Sequence, residues 1–482
     1  MQFNSYGFIF YFLPLTVLLY FLANKIRPVC GKFVLIAASV LFYAFGRPNM
    51  LVCLAISVAV NYFFALLIYR KNVKAKIILS IPVIVNVALL LYFKYTNFIL
   101  GSACHALGRE FVPLNIILPL GISFYTFQQI AYVVSVSRGE LDNVSFIDYI
   151  TYILYFPKLL MGPLMEPVDF MAQINDASRK KAGLNNIVCG IKIFSFGLIK
   201  KVLLADTFSR AVSCAYGNVE SISAADGLLM VLFYTFEIYF DFSGYSDMAV
   251  GASMMLNIDL PINFDSPYKA ISIRDFWKRW HISLTSFFTK YIYIPLGGSR
   301  KGKIFTYLNV MIVFLVSGLW HGANWTFLLW GLLHGILSCL DRLFEKAEEK
   351  VFLPVRWFCT FVLVSFLWLL FSADSVAQWI AIIKNILVMK NTVISDELLN
   401  VFNIPETQYI YHMLGLESLA GEVRGLNMFL FTLAAFVICL IPENNYRRKN
   451  KISMASAVFA AIFFVWGVLC LGTESVFVYF GF

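Results

Sequence analysis

Charged residues are scarce in this sequence. Only 14% of its 482 residues are Asp, Glu, Lys or Arg, whereas about a quarter of the residues in a soluble domain are charged. Hydrophobic residues make up 60%, among them 48 Phe and 9 Trp. The shortage of charge excludes a soluble globular enzyme, and the hydrophobic content excludes a disordered chain.

Sequence patterns typical of several enzyme classes are also missing. The 9 cysteines stand singly without a CxxC pair, which argues against a disulfide framework, and no histidine or cysteine cluster predicts a metal site. There is no GxSxG nucleophile motif, and the run GGSRKGKI has Ile304 where a P-loop needs Ser or Thr. Glycerolipid acyltransferases have an aspartate five residues after a histidine, but Ser286 follows His281 at that distance.

The hydrophobic residues form runs long enough for membrane helices. A helix needs about 20 apolar residues to cross the ~30 Å hydrocarbon core. We therefore predict an all-α polytopic membrane protein with roughly eleven or twelve transmembrane helices, in a single multi-pass domain over 1–482. The run 376–389 is too short and has Lys384 near its centre, so we predict an interfacial helix there. The candidate spans are 6–23, 33–45, 51–69, 77–93, 114–136, 187–205, 224–240, 304–320, 325–340, 357–371, 425–441 and 454–471.

Positive charge exceeds negative charge, with a formal net charge of +10. In a soluble protein this would suggest a nucleic-acid partner, but in a membrane protein an excess of Lys and Arg marks cytoplasmic loops. No basic residue precedes the first apolar run, so a cleaved signal peptide is not predicted. The first basic residues are Lys25, Arg27 and Lys32. We therefore expect the N-terminus outside, membrane lipids around the chain, and no nucleic-acid partner.

Two stretches do not fit a simple hydropathy pattern. The stretch 146–170 contains Pro157, Pro163 and Pro167, and 264–303 holds eight basic and two acidic residues among many aromatics. Irregular, charged backbone at membrane depth is tolerated only where protein buries it or water reaches it. We predict that both stretches are re-entrant or interfacial and line an internal cavity.

Histidine is rare, and three of the 5 histidines lie in or beside apolar runs. An ionisable side chain within a membrane is costly, so it is a candidate functional residue. His321 follows an apolar run among small residues, and a neutral imidazole can take a proton from a hydroxyl; a helix-packing role explains it equally well. His281 also fits an ordinary membrane-surface helix, and His334 is interpreted as structural. His105 falls in a predicted outer loop.

Acidic residues cluster in FEIYFDFSGYSDMAVG. Glu237 and Asp241 are four residues apart and share a helix face, and Asp247 follows a predicted helix break at 243–245. Paired with Lys or Arg, these carboxylates would be buried structural ions; facing a cavity, they would hold a polar substrate. We favour pairing and keep Asp241 and Asp247 as candidate cavity residues.

Long motifs occur in a fixed order along the chain. They include FNSYGFIFYFLPLTVLLYF, PLGISFYTFQQIAYVVSVSRG, YFPKLLMGPLMEPVDF, INFDSPYKAISIRDFWKRWHISLTSFFTKYIYIPLGGSR and SGLWHGANWTFLLWGLLHG. In these motifs the chain resembles the membrane-bound O-acyltransferase family, and within it the alginate O-acetylation branch. The resemblance implies spanning helices around a central funnel, with a core motif region at about 114–340. It also implies a catalytic histidine at His321 and the family's second histidine at His281.

Three positions depart from the family pattern. Ser135 stands where an aspartate is usual, Lys158 where a glutamine is usual, and an arginine expected near Glu166 is replaced. Both histidines are intact. The departures therefore bear on the acceptor or partner rather than on acyl transfer.

The resemblance implies transfer of an acyl group, with acetyl expected, from a cytoplasmic donor such as acetyl-CoA to an extracytoplasmic polysaccharide. His321 would be the general base, no cofactor would be bound, and the location would be a bacterial plasma membrane. Whether His321 carries an acyl intermediate is left open. Because the chain lacks an esterase nucleophile, a separate extracytoplasmic SGNH-type partner is expected. The candidates for supporting the histidines or lining the substrate cavity are Trp280, Trp320, Asn324, Asp241 and Asp247. The candidates for binding the phosphates of the donor are Lys278, Arg279, Arg300 and Lys301.

Three alternatives remain. D-alanyl transfer to teichoic acid belongs to the same family, although the stretch WTFLLWGLLHG fits the alginate type better. A transporter of glycan precursors would often show paired inverted repeats, and none is apparent in the sequence. A non-catalytic scaffold is disfavoured by the intact His281 and His321.

Overall fold

The computed structural model describes residues 1–45, 48–71, 76–217, 222–389, 391–415, 423–472 and 477. Every regular element within these ranges is a helix, which confirms the predicted all-α class. The α-helices are α1 (Leu13–Ile26), α2 (Pro28–Ala44), α3 (Met50–Lys71), α4 (Lys76–Leu90), α5 (Thr96–Ala106), α6 (Ile122–Ser137), α7 (Phe146–Leu154), α8 (Phe156–Leu159), α9 (Pro167–Asn175), α10 (Leu184–Ile199), α11 (Asp206–Tyr216), α12 (Ala224–Met255), α13 (Ile273–Arg279), α14 (Ile282–Phe288), α15 (Lys303–His321), α16 (Trp325–Glu348), α17 (Leu353–Ser372), α18 (Val376–Val388), α19 (Asp396–Asn400), α20 (Pro405–Leu414), α21 (Leu426–Leu440) and α22 (Met454–Leu469).

Seven helical segments within the described ranges are long and apolar enough to cross a membrane. Three further apolar helices, α2, α18 and α21, are shorter. The predicted run 114–136 becomes the shorter α6, because residues 107–121 are not helical and Gly121 enters the helix with a left-handed φ of 71°. The seven segments are Gly7–Ile26, Met50–Arg70, Ile78–Ala106, Lys303–His321, Trp325–Glu348, Leu353–Ser372 and Met454–Gly472.

The predicted helix break at 243–245 is wrong. Helix α12 runs without interruption through Ser243, Gly244 and Tyr245 for 32 residues. A glycine in a helix interior costs only about 1 kcal/mol relative to alanine, and residues 241–246 are all buried. Tertiary packing therefore outweighs the local preference, and Asp247 lies on the helix itself.

The chain divides into two compact units. Unit 1 comprises 1–198, 245–262 and 449–471, in which α1 packs on α2 while α3 and α4 pack on α6. The predicted irregular stretch of unit 1 forms the short helices α7, α8 and α9. Lys158 of α8 is fully buried there and donates to the side-chain oxygen of Gln128, with its ammonium 3.8 Å from the centre of the Tyr152 ring.

Unit 2 comprises 199–244, 263–448 and 472–482. Its long helices α15, α16 and α17 pack in sequence, and the short helices α13 and α14 lie against this group. The stretch 264–303 thus folds as short helical pieces ended by turns, in keeping with the predicted irregular backbone. All three histidines of the apolar regions belong to this unit.

Candidate active site

Close packing of α15 on α16 forms one wall of the site. A Cβ at Gly318 would collide with the carbonyl oxygen of Phe327 and would lie 3.3 Å from the Cα of Gly331. Small residues allow helices inside a membrane to approach this closely. The last turn of α15, which carries His321, is therefore held directly against α16.

His321 is the last residue of α15, and the extended backbone of Gly322 ends the helix. Its side chain is 4% exposed and is surrounded by aromatic rings. The imidazole meets Trp330 and Phe371 edge to face, at centroid distances of 5.3 Å and 4.9 Å. These contacts restrict the ring without supplying charge, so the imidazole lies in a largely apolar environment.

His281 lies between α13 and α14 and is 1% exposed. Its backbone has a left-handed φ of 46°, which is uncommon for a residue other than glycine. The Asn263 carbonyl accepts from the Ile282 N–H at 2.9 Å, and the Asn263 side chain faces the imidazole. Burial lowers the pKa of His281 to about 3, so the ring is neutral at physiological pH.

The hydrogen bonds around Asn263 indicate the tautomer of His281. Asn263 Oδ1 lies 3.0 Å from His281 Nδ1, 2.9 Å from Ser283 Oγ and 3.4 Å from the Ser283 backbone nitrogen. A backbone N–H can only donate, so the asparagine atom facing it is the oxygen. His281 Nδ1 therefore carries the proton, and Nε2 is the ring nitrogen that can accept a hydrogen bond or a proton.

A cavity of about 270 Å³ is lined by both His281 and His321. Ser317, one turn before His321, faces the same space, and most of the remaining wall is apolar or aromatic. Trp277 is among the lining residues, and its indole N–H donates to Nδ1 of the buried His334 at 3.3 Å. His334 thus contacts a wall residue and is not itself a lining residue, which agrees with its structural interpretation.

The cavity also has three cationic side chains, Arg274, Lys278 and Arg342. Lys278 and Arg342 are exposed and Arg274 is partly exposed, whereas the two histidines are buried. The cavity therefore runs from a positively charged mouth to a buried, neutral end. Arg274 pairs with Asp341 of α16 at 2.9 Å, which anchors α13 to that helix.

The predicted supporting residues have different environments. Trp320 packs edge to face on His321 at 4.8 Å and lies 6.2 Å from the ring of His281. Trp280 is buried against Trp368, 4.7 Å away, and belongs to the aromatic core. Asn324 caps α16 by accepting from the Thr326 N–H, and its amide donates to the Asp374 carbonyl. Of these three residues, Trp320 is the one that the structure shows packed against both imidazoles.

The two candidate aspartates lie on one helix but in different units. Asp241 of unit 2 is buried and forms an ion pair with Lys201 at 2.7 Å; Lys201 also pairs with Asp206 at 2.9 Å. Asp241 is therefore paired, as the favoured interpretation expects, and its role as a cavity residue stays a prediction. Asp247 belongs to unit 1, where it is partly exposed.

Of the four predicted donor-binding residues, Lys278 lines the cavity. Arg279 turns to Asp275, with which it pairs at 2.8 Å. Arg300 and Lys301 lie exposed in the turn before α15 and are not among the lining residues. The role of all four residues in donor binding stays a prediction.

Sequence reasoning missed Arg274, Arg342 and Asn263. Arg274 is four residues before Lys278, so a helical-spacing test would have placed both on one face of α13. Arg342 comes from another helix and Asn263 from a preceding loop, and no local pattern indicates that either lies near a histidine.

A family model provides an independent comparison. The model of the membrane-bound O-acyltransferase family matches residues 42–377, which include both cavity histidines. The chain belongs to the membrane-bound O-acyltransferase family. Membership makes it an acyltransferase, and together with the seven apolar helices it makes the chain a multi-pass membrane protein.

Three curated relatives illustrate the range of this family. The chain is 35% identical to the peptidoglycan O-acetyltransferase of Helicobacter pylori over 100% of its length and 97% of that protein. It is 37% identical to the probable alginate O-acetylase AlgI of Pseudomonas putida over 78% of both chains. It is 28% identical to the teichoic acid D-alanyltransferase of Streptococcus thermophilus over 48% of its length and 59% of that protein. The similarity to the two O-acetylating relatives is therefore higher and more extensive.

Proposed function

We propose that this membrane-bound O-acyltransferase moves an acetyl group from acetyl-CoA, on the cytoplasmic side, to a hydroxyl acceptor during O-acetylation of an extracytoplasmic polysaccharide. The observation that carries the proposal is that His281 and His321 line the same cavity, which has a cationic mouth and a buried end. Two relatives align over more of the chain than the third, and they are named a peptidoglycan O-acetyltransferase and an alginate O-acetylase. Their names support acetyl as the group transferred and a polysaccharide as the final acceptor.

His321 acts as the general base in this proposal. The acceptor oxygen attacks the carbonyl carbon of the thioester while the imidazole takes the hydroxyl proton. The new C–O bond forms, the C–S bond breaks, and the imidazolium returns the proton to the departing thiolate. The aromatic surroundings of His321 exclude water, which protects the thioester from hydrolysis.

His281 serves as the second catalytic histidine. Because its Nδ1–H is directed to Asn263, Nε2 can accept a hydrogen bond from the substrate within the same cavity. A hydroxyl held there would lie in the space that His321 also lines. Trp320, which contacts both imidazoles, fixes their relative orientation.

The cationic mouth suits an anionic donor. Lys278 and Arg342 provide the charge-assisted hydrogen bonds that phosphates favour, while Arg274 is held by Asp341 and Glu345. Acetyl-CoA then enters as a substrate, with its phosphates at the exposed mouth and its thioester towards the histidines. The basic residues Lys25, Arg27 and Lys32 after the first apolar run support, by the positive-inside rule, an orientation with the N-terminus outside, and the membrane proposed is a bacterial plasma membrane.

An extracytoplasmic SGNH-type protein completes transfer to the glycan in this proposal. The chain has no GxSxG motif of its own. The hydroxyl acetylated in the cavity is then that of the partner or of an intermediate carrier.

The test compares His321→Ala and His281→Ala with His105→Ala, a matched change of an exposed histidine. Each variant is produced in a strain whose own gene is deleted, at equal membrane abundance, and ester-linked acetate is released from purified wall and capsular polysaccharide with mild base. We expect loss of nearly all acetate for His321→Ala and a large loss for His281→Ala, with His105→Ala unchanged. Normal acetate with His321→Ala would overturn the catalytic assignment.

The same base treatment separates acetyl from D-alanyl transfer. Released acetate supports the proposal. Released D-alanine that depends on His321 would show that the chain shares the activity in the name of the teichoic acid relative. Thiol release from acetyl-CoA by inverted membrane vesicles tests the donor independently of the glycan.

A further inference from the structure

Unit 1 contains a second, larger cavity that the acyl-transfer chemistry does not use. It has a volume of about 1190 Å³ and lies along one face of the first membrane helix, from Ile9 to Lys25. Residues of α10, together with Met255 and Phe464, complete its walls. Small-molecule sites usually enclose roughly 300–1,000 Å³, so this groove has room for a larger ligand.

The groove has two chemically different ends. Fifteen of its nineteen lining residues are apolar or aromatic, and its polar residues are confined to Asn24, Lys25, Lys180 and Lys181. No aspartate or glutamate occurs among the lining residues that the structure describes. The occupant that fits has a long apolar part and a compact anionic end.

The nearby acidic residues do not cancel this charge. Asp148 pairs with Lys32 at 2.5 Å. Asp176 accepts from the hydroxyl and backbone N–H of Ser178 and lies 3.7 Å from Arg179. Lys180 is buried and donates to the carbonyl of Ile174. Burial lowers the pKa of Lys180 to about 8, which still leaves this side chain mostly cationic at neutral pH.

Asn24 gives a second indication of a ligand. Its side chain is 7% exposed, lines the groove beside Lys25 and lies near the Tyr20 hydroxyl, but no contact of its amide within the described ranges has full hydrogen-bond geometry. A buried amide without hydrogen bonds is costly. The ester and phosphate oxygens of a lipid headgroup are acceptors for its NH₂ group.

The dimensions agree with a lipid of one leaflet. The lining positions of the first helix extend over about 24 Å of helix axis, compared with roughly 20–22 Å for one leaflet including its headgroup region. Leu18 and Leu22 on this wall are exposed, so the groove opens to the surrounding acyl chains. Lys25 lies in the last turn of α1, at the end that the positive-inside rule assigns to the cytoplasm, and Lys180 and Lys181 line the same groove.

We propose that this groove is a binding site for one anionic phospholipid, with its phosphate at Lys25, Lys180 and Lys181 and an acyl chain along α1. Basic pockets between membrane helices on the cytoplasmic side are suited to such headgroups. The site shares no lining residue with the histidine cavity, and its occupation is measured without reference to acyl transfer.

The test uses the full chain, purified in mild detergent and mixed with phosphatidylglycerol or phosphatidylcholine at matched ratios, and read by native mass spectrometry. The wild type should retain one phosphatidylglycerol in preference to phosphatidylcholine. Lys25→Gln/Lys181→Gln, which leaves buried Lys180 intact, should lower the affinity for phosphatidylglycerol about tenfold. Lys346→Gln/Lys350→Gln removes the same charge from exposed positions elsewhere and should leave this affinity unchanged.

A second variant tests the acyl part of the site. Leu18→Trp fills the groove without changing any charge, so it should reduce retained phosphatidylglycerol while size-exclusion behaviour is unaltered. Soluble glycerol phosphate should not displace the lipid, since it lacks the acyl chain. Equal retention of both lipids by the wild type, an equal loss in both double-lysine variants, or unchanged retention in Leu18→Trp would each overturn the proposal.

Discussion

His281 Nδ1 lies 3.0 Å from Asn263 Oδ1, and this contact decides which nitrogen of the imidazole can accept a proton. The same oxygen accepts from the hydroxyl and backbone N–H of Ser283. Three donors therefore converge on one side-chain oxygen, in a place where His281 is 1% exposed. Asn263 is a positioning residue for His281, because it acts on the ring and not on the substrate.

Replacing Asn263 by leucine should lower kcat about tenfold, since a buried donor left without its acceptor costs ~1–3 kcal/mol. The KM for the acyl donor should change less, because Asn263 does not line the cavity. Ser283→Ala is the matched control: it removes one donor to Asn263 but keeps the bond to His281. Steady-state kinetics on purified protein measure both, and an equal kcat for Asn263→Leu and wild type would contradict the positioning role.

Asn263→Asp makes a separate, pH-dependent prediction. Burial lowers the pKa of His281 to about 3, and a carboxylate beside Nδ1 would raise that pKa by favouring the imidazolium. Below the raised pKa, Nε2 is protonated and can no longer accept. The activity of Asn263→Asp should therefore fall as the pH decreases and recover as it rises, relative to the wild type. Identical pH profiles for both proteins would contradict this assignment of the tautomer.

The sequence predicts the two histidines better than their surroundings. His281 and His321 stand out because they are rare ionisable groups beside apolar runs, within motifs that resemble a family. Asn263 lies 18 residues before His281, and its contact depends on the left-handed backbone of that histidine, which no local pattern indicates. The helices are predicted well where an apolar run is uninterrupted, as in α15, and less well where packing overrides a glycine, as in α12.

Two pairs of basic residues with equal charge are candidates for binding the phosphates of the donor, and only the first pair lines the cavity. Lys278→Gln/Arg342→Gln should raise the KM for acetyl-CoA about tenfold, because exposed charge-assisted contacts to phosphate are lost. Arg300→Gln/Lys301→Gln, at positions indicated by the sequence but outside the cavity lining, should change it little. Acetyl-pantetheine, which has no phosphate, should show the same KM with all variants. If the second pair raised the KM for acetyl-CoA more than the first, the donor would enter elsewhere.

The close contact between α15 and α16 predicts that adding one methyl group at Gly318 lowers both stability and activity. Gly318→Ala places a Cβ against the backbone carbonyl of Phe327, which cannot move without shifting the helix. Overpacking of this kind costs about 1–3 kcal/mol, and it also displaces His321 one turn away. We expect a lower thermal unfolding midpoint and a lower kcat. Gly7→Ala is the control, since a Cβ there meets nothing within 4 Å; equal effects of the two changes would refute the packing argument.

The Lys201–Asp241 pair tests whether Asp241 is structural or faces the substrate. Lys201 holds two carboxylates, Asp241 at 2.7 Å and Asp206 at 2.9 Å, and Asp241 does not line the histidine cavity. Breaking a buried ion pair costs roughly 3–5 kcal/mol when the remaining charge is left uncompensated, as the two carboxylates are in Lys201→Met. Asp241→Asn leaves Lys201 paired with Asp206, so its cost should be smaller. Both Lys201→Met and Asp241→Asn should therefore lower the thermal unfolding midpoint, whereas the exposed Lys384→Met should not.

Activity distinguishes the two roles of Asp241 once stability has been measured. If the carboxylate only compensates Lys201, Asp241→Asn should keep kcat/KM per folded molecule within about threefold of the wild type, a loss of ~0.6 kcal/mol of transition-state stabilisation. Lys201→Met should behave in the same way, since it disrupts the same pair from the other side. A large loss of kcat/KM in Asp241→Asn alone, with the unfolding midpoint unchanged, would instead place this carboxylate in contact with the substrate. The paired variants therefore separate packing from chemistry, which neither could do alone.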